Sequence, residues 1–251
     1  EISAMHSEWI ANTKLDFIGF GLPLNSKPSI LNHAIGGSII YLSQGEIESR
    51  DENRQRIGTF SASDIAITMT YSKQLSNFSY GINVKVIQQQ IESEHTAGIA
   101  IDLGLLTRLS VYPLSAGLSI QNIGPQMEFI YEPYNLPLTI TTGLFYTIGA
   151  LNLAIDIKQQ IYEKRTIISL GTEYSPVNII ALRLGYTAKL IEGTLSNKDL
   201  ITQSTNNSIT DFTGFSAGLG VKLFTNYKLD YSFLPYGVLG DTHRISFYAK
   251  F

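Results

Sequence analysis

Apolar and polar residues alternate along most of this chain, and no other feature of the sequence limits its possible folds so strongly. The chain ends on THRISFYAKF, where Ile245, Phe247, Ala249 and Phe251 share one parity and more polar residues lie between them. Successive side chains of a β-strand point to opposite faces, so this pattern predicts a strand with one apolar face. Such a strand fits a soluble antiparallel sheet and a transmembrane β-barrel equally well.

Similar alternating segments recur throughout the sequence, each with about the 9–11 residues that a tilted strand needs to cross a bilayer. No capped helix interrupts them, and no apolar run approaches the roughly 18 residues of a membrane helix. We therefore predict that residues 1–251 form a single all-β domain. The predicted strands number about fourteen and comprise residues 2–9, 15–24, 30–43, 58–74, 78–91, 96–109, 114–123, 137–148, 151–161, 165–175, 178–190, 212–224, 227–236 and 243–251.

The connections between these segments are sorted by length. Every second connection is short, as in QLSNF, IGAL and SPVN, whereas the intervening ones are mostly longer and more polar, as in 44–57, 124–137 and 191–210. Outer-membrane barrels combine short periplasmic turns with longer extracellular loops, and a soluble sandwich has no reason to sort its loops in this way. An even number of strands places both termini at the end with the short turns, which we expect to face the periplasm.

Side-chain parity within the segments also favours a barrel. In GFSAGLGVKL (214–223), apolar residues alternate with glycine, serine and lysine. A sandwich needs two apolar faces that meet in a core, whereas here one face is small or polar in nearly every segment. We predict a transmembrane antiparallel up-and-down barrel with a polar lumen. The charged residues predicted to face the lumen, most in ion pairs and some lining a path, are Asp64, Lys85, Asp102, Asp156, Glu173, Arg183, Lys222, Asp230, Arg244 and Lys250.

Two finer predictions follow from the same parity. We expect the tight FTNY hairpin to place Lys222 opposite Asp230, and the next connection to place Lys250 opposite Asp230 from the other side. The residues predicted to face lipid are Ile65, Ile67, Ile82, Val84, Leu153, Leu219, Tyr231 and Phe247.

The connection GPQMEFIYEPYNLP (124–137) is more apolar than an ordinary exposed loop. Exposed apolar clusters often mark ligand or partner sites, so this loop is a candidate for capturing an oily ligand or docking a protein. The alternative is that it folds inward and packs on the barrel. Its candidate site residues are Met127, Phe129, Ile130, Tyr131 and Tyr134.

Composition excludes several functional classes. A net charge of −3 gives no basic footprint for nucleic acid. The absence of cysteine excludes a disulfide framework and thiolate chemistry. The four histidines are scattered and match no metal-ligand spacing. We therefore expect no enzymatic activity, no metal site and no cofactor.

The sequence resembles the PorV/PorQ-like outer-membrane proteins, which are relatives of the FadL-type hydrocarbon transporters. The resemblance is carried by MHSEWI (5–10), FSASDIAITMTYSKQL (60–75), INVKVI (82–87), AIDLGLLTR (100–108), LSIQNIGP (118–125) and, most specifically, FLPYGVLGDTHRISF within 214–251. It implies a FadL-like barrel of fourteen strands in the outer membrane of a Gram-negative-type bacterium. It also implies a last strand closed by phenylalanine, which the barrel assembly machinery reads, and Phe247 and Phe251 match that role. The Asn-Pro-Ala-like N-terminal hatch of the family is absent from this chain.

Three functions stay open at this point. The first is FadL-like binding or passage of small hydrophobic compounds. The second is a PorV-like role in a protein secretion system, where the barrel docks exported proteins. The third is a soluble β-sandwich binding protein. For the two barrel functions we expect outer-membrane lipid and the assembly machinery as partners, together with either a hydrophobic small molecule or secretion-system proteins.

Overall fold

The computed structural model describes residues 1–9, 12–24, 31–109, 112–129, 131–191, 214–235 and 240–251. Among these residues there is no helix with the length and apolar character needed to cross a membrane. The strands are β1 (Ile2–Glu8), β2 (Lys14–Pro23), β3 (Leu31–Arg50), β4 (Arg56–Leu75), β5 (Phe78–Ile91), β6 (Glu94–Arg108), β7 (Leu114–Ile123), β8 (Met127–Phe129), β9 (Glu132–Tyr134), β10 (Thr139–Ile148), β11 (Leu151–Gln160), β12 (Arg165–Val177), β13 (Ile180–Ile191), β14 (Phe215–Leu223), β15 (Tyr227–Pro235) and β16 (Asp241–Ala249).

Fourteen of these strands form one closed barrel, and β8 and β9 form a separate hairpin between β7 and β10. Neighbouring barrel strands pair antiparallel, and the barrel closes where β1 pairs with β16, with Ile2 opposite Ala249. Closure leaves no edge strand in the barrel that the structure describes, which is what a bilayer demands of a sheet. The predicted all-β, up-and-down barrel of fourteen strands is therefore confirmed, and the alternative of a soluble β-sandwich is wrong.

Exposure alternates along the barrel strands and distinguishes an outer from an inner face. In β5, Ile82 and Val84 are exposed, whereas Asn83 and Lys85, which alternate with them, are partly buried. Side chains diverge on the convex face of a cylinder and crowd together on its concave face, so the exposed parity is the outer one. Of the residues predicted to face outward, Ile65 is partly exposed on the outer parity, and the exposed ones are Ile67, Ile82, Val84, Leu153, Leu219, Tyr231 and Phe247.

The outer face is consequently an apolar belt around the whole barrel. Soluble proteins rarely expose contiguous apolar patches larger than a few hundred Å². Transmembrane barrels, in contrast, carry an apolar band on the face that contacts lipid. The belt therefore matches a barrel that resides in a bilayer.

The two ends of the barrel differ. The short turns at 76–77, 149–150 and 178–179 lie at one end together with both chain termini, and we call this the turn end. At the opposite end, the loop end, β3 and β4 are 20 residues long, against 7 in β1. The prediction of a long loop at 44–57 is wrong, because β3 continues to Arg50 and β4 begins at Arg56. Polarity did not distinguish loop from strand there, since a strand that projects beyond lipid can be charged on both faces.

The strand register also contradicts the predicted pairing of Asp230 with two lysines. Lys222 lies opposite Lys228, and Asp230 lies between Gly220 and Ser246. The β14–β15 hairpin is centred on residue 225, and a centre one residue later would be needed to bring Lys222 to Asp230. The predicted cluster of Lys222, Asp230 and Lys250 is therefore wrong, although all three residues do share the inner parity.

Candidate functional site

Residues of β10–β16 line a cavity of about 530 Å³ on the inner face, where charged side chains lie among apolar ones. Four predicted lumen residues line this cavity, namely Glu173, Arg183, Asp230 and Arg244. Its volume lies within the range of roughly 300–1,000 Å³ that is usual for small-molecule sites.

Arg183 of β13 is the centre of this charge cluster. Its Nε donates to Oε2 of Glu173 on β12 at 2.6 Å, and its Nη1 donates to Oδ1 of Asp230 on β15. The side chain crosses β14 because Gly220 leaves the space empty; a Cβ there would lie 3.1 Å from both guanidinium Nη atoms. Asn152 also donates to Oε1 of Glu173 at 3.0 Å. Arginine thus holds two carboxylates from strands that do not neighbour each other.

A second ion pair lies on the inner face of β5 and β6 and is more deeply buried. The Nζ of Lys85 lies 2.7 Å from Oδ1 of Asp102, and their side chains are only 15% and 10% exposed. Asn83 donates to Oδ2 of Asp102 at 3.1 Å. The backbone N–H of Asn122 donates to Oδ1 of Asp102 at 2.8 Å, and Lys85 donates to the Asn122 side-chain oxygen at 2.5 Å. Every polar group of this pair is therefore matched.

Asn122 owes its position to an irregularity of β7. The register of β6 and β7 shifts at this point, and Asn122 adopts a φ of 63°. Asparagine tolerates this left-handed conformation better than most residues. The bulge turns its backbone N–H toward Asp102 and leaves its side-chain amide to donate to the carbonyl of Pro137 at 3.0 Å. One residue thereby connects the buried ion pair to the base of the β8–β9 hairpin.

The β8–β9 hairpin folds inward onto the inner face of β6. Met127 is 2% exposed and packs with Ala100 and Leu136 in a small apolar cluster. Gly98 provides the space for Met127, because a Cβ on Gly98 would lie 2.6 Å from Cγ of Met127. We call this contact the Gly98 notch.

This packing divides the residues predicted as a loop site. Met127 and Tyr134 turn inward, and the Tyr134 hydroxyl donates to Oε1 of Gln89. Burial, and then the negative charge of Asp64, raises the pKa of Tyr134 above its ordinary value. Phe129 is half-buried and Tyr131 is 86% exposed, while Ile130 lies outside the described residues. The predicted alternative, a loop that folds inward, therefore holds for Met127 and Tyr134. Tyr131 stays at the surface.

The other predicted lumen charges do not join either cluster. Asp64 lies opposite Gln89, Asp156 lies opposite Gly143, and Lys250 is 3.6 Å from Glu1 at the turn end. The predicted charges therefore fall into two paired groups and several separate positions. Sequence reasoning missed the amides that complete the pairs, since a single asparagine in a strand carries no pattern. They are Asn83, Asn122 and Asn152. Sequence reasoning also missed Gln89, which accepts from Tyr134.

An apolar groove of about 620 Å³ lies on the outer face across β10–β13. Outward side chains such as Leu144, Leu170 and Leu184 line it. Gly171 and Gly185 lie directly opposite each other in the wall beneath it, so neither adds a side chain to the inner face. The Ser216 hydroxyl of β14 lies beside Gly185, 2.5 Å from the position that a Cβ there would take. The groove and the inner cavity share five wall residues, namely Ala154, Gly171, Thr172, Leu184 and Gly185.

The fold is similar to solved hydrocarbon channels. The Ralstonia pickettii toluene transporter TbuX matches with a TM-score of 0.62 at 9% identity, over 100% of this chain and 87% of that one. The monoaromatic hydrocarbon channel TodX, as a deltaS2S3 mutant, matches with a TM-score of 0.61 at 12% identity, over 100% and 88%. A Pseudomonas aeruginosa FadL homologue matches with a TM-score of 0.59 at 8% identity, over 98% and 87%.

These likenesses establish a FadL-type fold. No family model matches the sequence, and no curated protein sequence matches it. The solved structures support the wider resemblance to FadL-type transporters drawn from the sequence, and they do not support the narrower assignment to PorV/PorQ-like proteins.

Proposed function

We propose that this protein is an outer-membrane barrel that binds small hydrophobic compounds and passes them through its wall. The observation that carries the proposal is the apolar groove on the outer face, which is separated from the lumen cavity by the wall that contains Gly171 and Gly185. Its likeness in fold to TodX and TbuX, both named as carrying such compounds, supports the same function.

The groove has the chemistry to hold an apolar compound. Its lining is mostly leucine, isoleucine, tyrosine and phenylalanine, and burial of apolar surface stabilises such contacts by about 25 cal/mol per Å². An apolar compound that moves from the lumen to this groove exchanges contact with water for contact with apolar side chains, which is favourable. Because Gly171 and Gly185 add no side chains, the route between the two spaces is shortest there. The strands stay paired at this point, so passage requires a local opening between β12 and β13.

The proposed location is the outer membrane, with the turn end in the periplasm. Short turns at one end and longer strands and connections at the other are the arrangement of bacterial outer-membrane barrels. Phe247 is exposed on the outer face of the last strand and Phe251 follows it, exposed, at the chain end. We propose that both are read by the barrel assembly machinery, and that the apolar belt contacts outer-membrane lipid.

A cavity-filling substitution tests the function. Gly171→Leu would place a side chain on the inner face, where a Cβ meets only Ala154 at an ordinary 3.9 Å. We expect it to lower uptake of radiolabelled toluene by cells that produce the protein, with normal amounts of folded barrel in the membrane.

Gly104→Leu is the matched control, since a Cβ at Gly104 meets nothing within 4 Å and Gly104 lies on the inner face of β6, away from the groove. It should transport toluene as the unaltered protein does. Equal uptake by both variants would mean that the glycine pair is not on the route. Uptake no faster than in cells without the protein would refute the proposed function itself.

A further inference from the structure

Basic side chains are concentrated on the inner face of the last strands. The register arranges inward residues of β14, β15 and β16 in rows, roughly 7 Å apart along the strands. The row at the turn end contains Lys222, Lys228 and Tyr248. Two rows further into the barrel, Arg244 lies opposite Ser232. We call Lys222, Lys228 and Arg244 the basic stripe.

The carboxylates near this stripe form ion pairs with other residues. Asp230, in the row between, is bound by Arg183, and Glu173 is bound by the same guanidinium. Glu1 lies 3.6 Å from Lys250. In the part of the chain that the structure describes, no carboxylate forms an ion pair with a residue of the basic stripe.

Lys222 and Lys228 face each other, and their like charges repel. Residues directly opposite in an antiparallel pair have Cβ atoms about 4.5–5.5 Å apart, and like charges there are destabilising. Lys228 gains partial compensation from Tyr248, whose ring centre lies 5.7 Å from the ammonium, and from longer-range attraction to the Glu173 carboxylate. Lys222 has no comparable contact among the described residues.

Arg244, which lines the cavity, has a hydrogen-bond donor without an acceptor among the described residues. Its Nε is buried and has no acceptor in the described structure. A buried donor without a partner is costly, and an anion that accepts from it would remove this penalty. Ser232 and Ser246 line the same cavity and supply hydroxyl donors.

We propose that the basic stripe is a binding site for a small oxyanion, a phosphate or a carboxylate. The anion neutralises the opposed lysines at the turn end and is passed inward toward Arg244. Oxyanions suit the site because ammonium, guanidinium and hydroxyl donors follow one another along the same inner strip, from the two lysines to Arg244. This site is separate from the apolar groove and does not depend on transport of hydrophobic compounds.

Titration calorimetry with inorganic pyrophosphate tests the site, at constant ionic strength in a nonionic detergent. We expect saturable binding to the unaltered barrel. Lys222→Glu should weaken binding at least about tenfold, because it replaces one charged donor with a repelling carboxylate. Arg244→Gln should weaken it as well, since glutamine retains hydrogen bonding and loses the charge.

Two controls show that such losses come from the site. Lys73→Glu makes the same charge change near the turn end, on the outer parity of exposed Met69, and should bind pyrophosphate normally. Lys222→Glu itself should resist urea better than the unaltered protein, because it faces Lys228 with an opposite charge. A loss of binding with this gain in stability cannot arise from misfolding.

The source of the anion is distinguished in nanodiscs. If phosphatidylglycerol displaces pyrophosphate and phosphatidylcholine does not, the occupant is a lipid headgroup phosphate; if neither does, it is an anion from solution. Absence of saturable binding to the unaltered barrel overturns the proposal. Equal binding by Lys222→Glu overturns it too. Neither result bears on toluene uptake, so this inference and the proposed function fail independently.

Discussion

The Gly98 notch predicts that one added methyl group will loosen the inward hairpin. In Gly98→Ala the new Cβ would lie 2.6 Å from Cγ and 2.8 Å from Sδ of Met127, a distance that real Cβ contacts essentially never show. Met127 must therefore move, and overpacking of this kind costs about 1–3 kcal/mol. The cost falls on docking of the hairpin, because the backbone pairing of β6 is untouched.

The opposite substitution at the same contact should also loosen the hairpin. Met127→Ala removes most of the small cluster formed with Ala100 and Leu136. Buried Met→Ala substitutions cost roughly 2–5 kcal/mol, and the small size of this cluster places the value near 2 kcal/mol.

The double variant separates packing from other effects. With alanine at both positions, the new methyl group occupies space that Met127 has left, so the clash disappears. The combined cost should be smaller than the sum of the single costs by about 1–3 kcal/mol.

Chymotrypsin provides the assay, because Tyr131 at the hairpin tip is 86% exposed. Cleavage requires the hairpin to open, and its rate follows the population of the open state. A cost near 2 kcal/mol corresponds to cleavage about thirtyfold faster. Gly104→Ala is the control on the same strand, since a Cβ there meets nothing within 4 Å. Strictly additive effects in the double variant, or normal cleavage of Gly98→Ala, would refute the notch.

Two further predictions concern the barrel wall. Leu103→Arg, on the exposed outer face, should destabilise the barrel in lipid vesicles by about 2–4 kcal/mol, the cost of an arginine near the bilayer midplane. Gly104→Arg, on the inner face, should destabilise it much less. If urea unfolding shows Gly104→Arg to be the less stable variant, the two faces are exchanged. Lys85→Met should cost about 3–5 kcal/mol because it leaves Asp102 buried and unpaired. Arg183→Met should cost less, since its side chain is 39% exposed against 15% for Lys85. Equal urea midpoints for the two variants would contradict the argument that the more buried ion pair costs more to break.

The faces of the barrel could be predicted from sequence, whereas the contacts across its inner face could not. Alternation has a period of two residues, and lipid outside with water inside enforces it at every strand, so parity alone identified Leu219 and Lys85 correctly. Cross-strand partners depend on register, and a hairpin centre displaced by one residue gives Lys222 a lysine in place of Asp230. Arg183 and Asp230 lie on strands that do not pair, so no local pattern marks their contact.

The direction of the hairpin shows the same limit. Its apolar composition fits an exposed docking surface and an inward fold equally well. The inward fold depends on Gly98, which is one glycine among 21 in the sequence. Nothing adjacent to Gly98 in the chain indicates that Met127, 29 residues later, will occupy the space above it. Such a contact becomes visible only when the strands have been placed.

Glycines on the inner face decide how the lumen is divided. At Gly98 the missing side chain admits an apolar methionine, and the hairpin then covers the wall at β6 beside the neutral Lys85–Asp102 pair. At Gly220 it admits a guanidinium, which binds Asp230, while Lys222 and Lys228 face each other in the next row. The lumen cavity and the wall at Gly171 lie on this second side. A compound in the lumen would therefore meet the basic residues and the route to the outer groove along the same strands, away from the hairpin.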